Sequence, residues 1–202
     1  AWSHKRSSFQ RHCRRRMKQL WVLVGGNGAG KTTFYETMLR PLGLPFINAD
    51  VIAKEVFPND PEGLSYQAAK LAEAMREEQL IKGSSFCFET VFSHPSKIDF
   101  IAEAKALRYE IILVVIHVQS SELNLARISQ RVQEGGHNVP SEKVISRIPR
   151  MLDNVKKAIP LCDQVRVLDN SSLEQPFLEV LSIKKGVRTK HVNPLPAWVC
   201  KF

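Results

Sequence analysis

The feature that most constrains the fold of this chain is the glycine-rich segment GGNGAGKT at residues 25–32, which directly follows the apolar run LWVLV at residues 20–24. The apolar run has the length and composition of a buried parallel strand. Glycines let the following loop adopt positive φ values, so that its backbone N–H groups can surround a chain of phosphates. The GxxxxGK[ST] spacing between a strand and a helix therefore predicts a P-loop that binds ATP or GTP.

Each part of this loop has an expected task. Lys31 should reach the β- and γ-phosphates, and the hydroxyl of Thr32 should bind Mg²⁺. The helix that follows points its positive end at the phosphates. The residues predicted to bind the nucleotide through this segment are Gly25, Gly26, Asn27, Gly28, Ala29, Gly30, Lys31, Thr32 and Thr33.

Apolar runs of strand length alternate with helical stripes along the rest of the chain. The predicted strands are 20–24, 45–48, 85–88, 110–118 and 164–168, and the predicted helices are 31–39, 63–81, 95–107, 121–134 and one from 141. Ser121 is the expected N-cap of its helix, and Pro149 should kink or split the next one. Residues 177–190 are candidates for an edge strand or hairpin. Such alternation predicts an α/β P-loop NTPase fold with a mainly parallel five-stranded sheet between helices.

The formal net charge of +9 is unevenly distributed. Residues 1–16 hold six basic and no acidic residues, which leaves the other 186 residues with a formal charge of +3. This arm could bind nucleic acid or an acidic partner, form a flexible leader, or derive from a vector, since Met17 stands just before the first strand. We favour the last two interpretations, which argue against a nucleic-acid partner. The expected organisation is an arm at 1–16, a P-loop kinase domain at 17–192 and a tail at 193–202.

The chain contains no apolar run of membrane-spanning length and no apolar N-terminal stretch typical of a signal peptide. Its four cysteines are scattered, without a CxxC pair. These features predict a cytoplasmic protein with reduced, unlinked thiols and no membrane association.

Other P-loop classes require segments that this chain lacks. Although the loop spelling is similar to that of ABC-transporter ATPases, there is no LSGGQ-type signature and no apolar strand that ends in Asp-Glu. A regulatory GTPase would need NKxD and DxxG segments. The central strand ends at His117 rather than at a Walker B carboxylate. A small kinase remains, which needs a carboxylate to accept a proton, arginines to neutralise the transferred phosphoryl group, and a mobile lid.

Asp50 is the candidate catalytic base. It follows the second predicted strand, at the sheet edge where ligands bind in parallel α/β folds. A carboxylate there could accept a proton from a substrate hydroxyl and contact Mg²⁺ through water, so Thr32 and Asp50 are the predicted metal residues. The alternative is that Asp50 caps the helix that begins beside it.

Glu89 and Thr90 follow the third predicted strand. A glutamate after buried apolar residues is rare unless it is paired. We expect Glu89 to orient the acceptor or to support the metal, with a structural salt bridge as the alternative. Thr90 is an expected substrate contact, although such hydroxyls often bond only to nearby backbone.

Arginines flank a flexible segment, Gly135-Gly136-His137, that is typical of a lid hinge. Arg127 and Arg131 are spaced i, i+4 and share one helix face. Because the planar guanidinium pairs well with phosphate, we expect at least one of these arginines to serve the γ-phosphate. We assign a catalytic role to Arg131, nucleotide binding to Arg127 and substrate binding to Arg147. Arg150 is a further candidate, and solvated surface arginines are the alternative for each. Asn170 lies in a segment, 169–171, that is either a base-binding loop or a plain turn.

Taken together, these segments resemble the zeta-toxin family of P-loop kinases, especially its short members known as "ABC-like ATPase". The matching segments are GGNGAGKTT at 25–33, FINADxIA at 46–53, FCFETVFS at 86–93, RVQEGGHNVP at 131–140 followed by Arg147, and LDNSS at 168–172. Two features depart from the family pattern. The long C-terminal helical extension of the larger toxins is missing, and the lid contains EGGH where those toxins have arginine.

The resemblance implies a sheet in the order 2-3-1-4-5, a helical lid and transfer of the γ-phosphate of ATP or GTP to a hydroxyl with Mg²⁺. In better-known members the acceptor is a UDP-activated amino sugar, and an antitoxin protein is a partner. It also implies that Asp50 is the base, that Lys31 and Thr32 serve the phosphates and metal, and that Arg131, with Arg127 or Arg147, contacts the γ-phosphate. The alternatives are an ATPase module without an acceptor and a nucleic-acid-directed kinase.

Overall fold

The computed structural model describes residues 17–133 and 139–202, which form an α/β fold around one mixed sheet. The seven strands are β1 (Gln19–Val24), β2 (Phe46–Ile47), β3 (Phe86–Thr90), β4 (Glu110–His117), β5 (Gln164–Asp169), β6 (Leu178–Lys184) and β7 (Val187–Lys190). They lie in the order β2-β3-β1-β4-β5-β6-β7. The predicted order of the first five strands and their parallel pairing are confirmed. The segment predicted as an edge hairpin supplies β6 and β7, which are antiparallel to their neighbours.

Helices cover both faces of the sheet. They are α1 (Lys31–Phe34, continuing as a π-helical turn Tyr35–Leu39), α2 (Ala49–Val56), α3 (Ser65–Lys82), α4 (Ser96–Ala106), α5 (Ser121–Gln133) and α6 (Ser141–Ala158). The large apolar cluster lies on the sheet face covered by α3, α4 and α6, and a smaller cluster lies under α1. Strands β1 and β4 are almost fully buried because both of their faces are covered, which explains their continuous apolar sequences.

The structure corrects local expectations about three helices. The alternative role of Asp50 as a cap and the expected cap at Ser121 are wrong, and of the two effects expected at Pro149 the split does not occur. Asn48, rather than Asp50, caps α2, because its Oδ1 accepts the N–H groups of Asp50 and Val51. Ser120, rather than Ser121, caps α5 through a bond from the N–H of Leu123. Pro149 does not split α6, which is continuous from Ser141–Ala158 with the proline inside it.

Helices α5 and α6 lie in sequence on either side of the predicted lid hinge. They pack on each other through a small separate cluster of Ile128, Val139 and Val144, with Leu125 at its border. The proposed hinge at Gly135-Gly136-His137 lies outside the described residues. This small cluster joins α5 to α6, and α6 in turn packs in the main core through Met151, Leu152 and Val155.

The last ten residues pack against the domain. Val199 and Phe202 are buried in the main apolar cluster, and Trp198 stacks edge-on against His117 with 4.5 Å between ring centroids. Within the described ranges 17–133 and 139–202, no helix combines the length and apolarity that crossing a bilayer would require. Cys87, Cys162 and Cys200 are free thiols, as predicted.

His117 should make folding stability depend on pH. Burial lowers its pKa from 6.5 to about 4, and the nearby Asp169 only partly opposes this shift. Between these two values the unfolded chain binds more protons than the folded chain, so stability falls as pH decreases through the window. The full shift corresponds to a loss of about 3 kcal/mol between pH 6.5 and pH 4.

Urea unfolding across this pH window measures the effect. His117→Gln should flatten the dependence of unfolding free energy on pH, whatever it does to stability at neutral pH. His191→Gln is the control, because His191 is an exposed histidine bonded to Ser182. Equal slopes in the wild type and His117→Gln would refute the assignment.

Candidate active site

The P-loop lies at the carboxyl end of β1 and leads into α1, as predicted. Gly28 and Gly30 have φ values of 77° and 96°. These values lie in the left-handed region that side chains with a Cβ rarely adopt, which explains the need for glycine at both positions. Lys31 is 5% exposed, and its Nζ donates to the carbonyl of Gly26 at 2.9 Å. The lysine is thus folded back over its own loop.

Two asparagines from distant elements hold the loop in place. Asn124 on α5 donates its side-chain amide to the carbonyl of Asn27 at 2.6 Å. Asn170, after β5, donates to the carbonyl of Ala29 at 2.9 Å. Because both asparagines are buried, these bonds replace solvent contacts of the loop carbonyls. Asn170, predicted as a nucleotide contact, therefore supports the loop and also lines the cleft beside it.

Glu89 connects the P-loop to the neighbouring strand end. Its carboxylate lies 3.4 Å from Lys31 Nζ and accepts a hydrogen bond from Thr32 Oγ1 at 2.8 Å. The side chain is 13% exposed. Strand β3, which ends with Glu89-Thr90, pairs directly with β1, so the acid lies level with the loop. Glu89, which the sequence predicted to orient the acceptor or support the metal, thus forms the ion pair with Lys31 that was its alternative role, and it also bonds to Thr32.

Asp50 lies in the first turn of α2 and lines the same cleft as the P-loop, with its side chain exposed. Asn48, just before it, is 6% exposed and donates to Glu89 Oε2 at 2.7 Å. Lys54 follows Asp50 by one helical turn and also lines the cleft. The cleft therefore has a P-loop wall and an α2 wall, with Glu89 between them.

The arginines predicted from the lid separate into two groups. Arg127 and Arg131 on α5 both line the cleft, and Arg127 Nη2 donates to the carbonyl of Asn170 at 2.8 Å. Arg147 is half-buried on α6 and is not among the cleft-lining residues. Arg150 is exposed and bonds to the carbonyl of Ser146. Thr90 also does not line the cleft, and its Oγ1 accepts the N–H of Phe92.

The cleft has a volume of about 500 Å³ and a positive electrostatic balance. Its ionisable lining side chains are the cations Lys31, Lys54, Arg127 and Arg131 and the carboxylates Asp50 and Glu89. Four cations against two acids suit a polyanionic ligand such as a nucleoside triphosphate. The size falls within the usual range of small-molecule sites.

The oxygens at the P-loop threonine fit a magnesium site. The hydroxyl of Thr32 and the carboxylate of Glu89 are adjacent, and Asp50 lines the same cleft. Among residues 17–133 and 139–202 there is no cluster of three or more His, Cys, Asp or Glu side chains arranged to hold a metal. Magnesium commonly binds through one or two carboxylates together with substrate phosphates, and does not require such a cluster.

Sequence reasoning missed several residues that shape this site. Asn48 follows a short strand and directly precedes a helix, so the capping preference of asparagine could have identified it. Lys54 lies four residues after Asp50, which is the spacing of one helix face. The cleft is also lined by a loop after β5 that includes Ser172, Leu173, Pro176 and Phe177. Ser172 belongs to the LDNSS segment at 168–172, whereas no residue pattern indicates the role of Leu173, Pro176 or Phe177.

Comparison with known families agrees with this architecture. Residues 20–158 match the AAA_33 family, described as an AAA domain. This match covers more than half of the chain, and the chain belongs to that family. An uncharacterised protein of Haemophilus influenzae is 29% identical over 134 residues, which are 63% of this chain and 95% of that protein.

Several solved structures share the fold. The AvrRxo1-ORF1:-ORF2 complex with ATP superposes with a TM-score of 0.70 and 19% identity, over 87% of this chain and 61% of that chain. The PezAT toxin–antitoxin system of Streptococcus pneumoniae gives 0.60 and 17%, over 76% and 68% of the two chains. A gluconokinase from Sinorhizobium meliloti gives 0.51 and 19%, over 81% and 87%. This chain thus spans about three fifths of the AvrRxo1 chain. The predicted α/β P-loop kinase fold is confirmed.

Proposed function

We propose that this protein is a small-molecule kinase that transfers the γ-phosphate of ATP or GTP to a hydroxyl group. The observation that carries the proposal is the placement of Asp50 on α2, in one cleft with Lys31 and Thr32 of the P-loop. A carboxylate in that position can accept the proton of an acceptor hydroxyl, while the P-loop holds the donor. Asp50 is exposed to the cleft and is therefore accessible to an incoming hydroxyl.

The remaining cleft residues have separate roles in the proposed phosphoryl transfer. Lys31 binds the β- and γ-phosphates in place of its contact with Glu89, and Arg127 and Arg131 neutralise the charge of the transferred group from the lid side. Thr32, Glu89 and Asp50 are the residues that would hold Mg²⁺, which when bound neutralises phosphate charge. Closure of α5 and α6 over the cleft would exclude water from the donor.

The acceptor is proposed by analogy with the zeta-toxin family, as a UDP-activated amino sugar. Lys54 supports an anionic acceptor of this kind, because it lies on the α2 wall with Asp50. A partner protein is a second proposal by analogy, because two proteins of similar fold occur in an ORF1:ORF2 complex and in a toxin–antitoxin system.

The deciding experiment incubates the protein with labelled ATP or GTP, Mg²⁺ and a panel of UDP-sugars, nucleosides, sugar alcohols and 5′-hydroxyl oligonucleotides. Mass spectrometry then identifies any acceptor that gains one phosphoryl group. We expect a phosphorylated UDP-sugar. ATP hydrolysis without any phosphorylated product would instead support the ATPase alternative, which Glu89 beside Thr32 keeps open. A phosphorylated oligonucleotide would support the nucleic-acid alternative.

Lys54→Ala should raise the KM of an anionic acceptor by about 10-fold or more, because a charge-assisted bond to the acceptor is lost. The kcat and the affinity for ATP should stay unchanged. Steady-state kinetics with a UDP-sugar and with the corresponding uncharged sugar measure this difference. Lys70→Ala is the matched control, because Lys70 lies on α3 over the ring of Tyr66 and does not line the cleft. An equal rise in KM for charged and uncharged acceptors would contradict the assignment.

A further inference from the structure

Asn48 lies where β2 passes into α2, and both ends of its side-chain amide are engaged. Its Oδ1 accepts the backbone N–H of Asp50 at 2.7 Å and that of Val51 at 3.4 Å, which is the geometry of a helix N-cap. Its Nδ2 donates to Glu89 Oε2 at 2.7 Å. With 6% exposure, the side chain leaves little room for water to replace either contact.

Glu89, the partner of Asn48, also contacts the P-loop. The same carboxylate accepts from Thr32 Oγ1 and lies within ion-pair distance of Lys31. One amide and one carboxylate therefore join the first turn of α2, which carries Asp50, to the two P-loop side chains that serve the nucleotide. The α2 wall and the P-loop wall of the cleft are thus joined by hydrogen bonds through Asn48 and Glu89.

We propose that Asn48 is a positioning residue for phosphoryl transfer, which orients Glu89 toward Thr32 and Lys31 and fixes the turn that holds Asp50. The inference rests on the proposed kinase function, and Asn48 itself touches no reacting atom. A helix cap alone would need only Oδ1, and serine would provide that oxygen equally well. The amide nitrogen is required only for the bond to Glu89.

A substitution can separate the capping bond of Asn48 Oδ1 from the bond of its Nδ2 to Glu89. Asn48→Ser keeps the capping oxygen, adds no charge and removes the donor to Glu89. We expect its kcat to fall by about 10- to 100-fold, as for other groups that orient catalytic ligands, with the acceptor KM unchanged. Its melting temperature should fall because Glu89 loses one hydrogen bond. Asn48→Ala should show the same kcat loss and a still lower melting temperature, because it also removes the helix cap. Wild-type kcat in Asn48→Ser would overturn the inference.

A double-mutant cycle tests whether Asn48 acts through Glu89. If it does, adding Asn48→Ser to Glu89→Ala should cause no further loss of kcat, because the partner of the amide is already gone. Losses that multiply in the double variant would mean that Asn48 acts by another route, and would overturn the inference.

Melting-temperature measurements with ATP and Mg²⁺, which need no acceptor, test this inference independently of the proposed function. ATP should raise the melting temperature of the protein, and Mg²⁺ should increase that effect through the Thr32–Glu89 site. In Asn48→Ser the half-maximal Mg²⁺ concentration should rise by about 10-fold or more. If the wild type binds ATP with Mg²⁺ but phosphorylates no acceptor, the kinase proposal fails while this titration still tests Asn48. Identical titrations for the wild type and Asn48→Ser would overturn the positioning role.

Discussion

Asp50→Asn should lower the kcat of phosphoryl transfer by about 10²- to 10⁴-fold, because the amide cannot accept the proton of the acceptor hydroxyl. The substitution preserves the shape of the side chain, and α2 keeps its cap from Asn48. The melting temperature and the affinity for ATP should therefore remain close to those of the wild type. Single-turnover assays with labelled ATP measure the rate, and calorimetric titration measures nucleotide binding.

Asp99→Asn provides a matched control for this experiment. Asp99 is also an exposed aspartate in the first turn of a helix, α4, but it does not line the cleft. Any general effect of neutralising an acid near a helix N-terminus should appear equally in both variants. If the turnover of Asp50→Asn equals that of Asp99→Asn, Asp50 is not the base. A parallel loss of ATP binding would instead mean that Asp50 acts through the nucleotide or the metal and not as the base.

The parts of this site that sequence could predict are those encoded by adjacent residues. The P-loop requires glycines at fixed spacing, and the φ value of 96° at Gly30 shows why. Asp50 and Glu89 were found because each follows a short apolar run, and the carboxyl ends of parallel strands meet at one edge. Arg127 and Arg131 were found because their i, i+4 spacing places them on one face.

The parts that sequence could not predict depend on long-range contacts. Asn124 bonds to the carbonyl of Asn27, 97 positions away, and no local pattern relates the two residues. The role of Asn48 depends on its alignment with Glu89, which follows from the pairing of β2 with β3. Arg147 matched a family motif, but its position along α6 does not bring it to the cleft lining. In α6, burial of one face of the helix stabilises it despite Pro149.

The position of Glu89 bears on whether a strand-end carboxylate can distinguish a kinase from an ATPase. The end of β4 at His117 had suggested that the strand-end carboxylate of a hydrolase is absent. His117 instead packs against Trp198 under the tail, while β3 places Glu89 against the P-loop threonine. A carboxylate in this place could hold a metal in either class of enzyme. The distinction therefore rests on Asp50 and on the acceptor, rather than on a missing acid.

Glu89→Gln should lower kcat by about 10²- to 10³-fold, because it removes the charge that faces Lys31 and Thr32 where phosphate and Mg²⁺ are expected to bind. The free protein should also lose about 1–3 kcal/mol of stability, since the buried Lys31 ammonium loses a charged partner. The loss should stay below that of a fully buried pair, because Glu89 is 13% exposed and Lys31 keeps its bond to Gly26. Urea unfolding and single-turnover kinetics measure the two effects separately.

Glu110→Gln separates the functional from the structural contribution of such a change. Glu110 lies at the opposite end of the sheet, at the start of β4, where its carboxylate accepts bonds from Gln19 and Gln164. Its neutralisation can affect stability but should leave kcat unchanged. If Glu89→Gln loses stability and keeps the kcat of the wild type, Glu89 is only a salt-bridge partner of Lys31. If kcat falls and recovers at high Mg²⁺ concentration, the carboxylate serves the metal, and the link from Asn48 through Glu89 to Thr32 acts on the site where the donor phosphates bind.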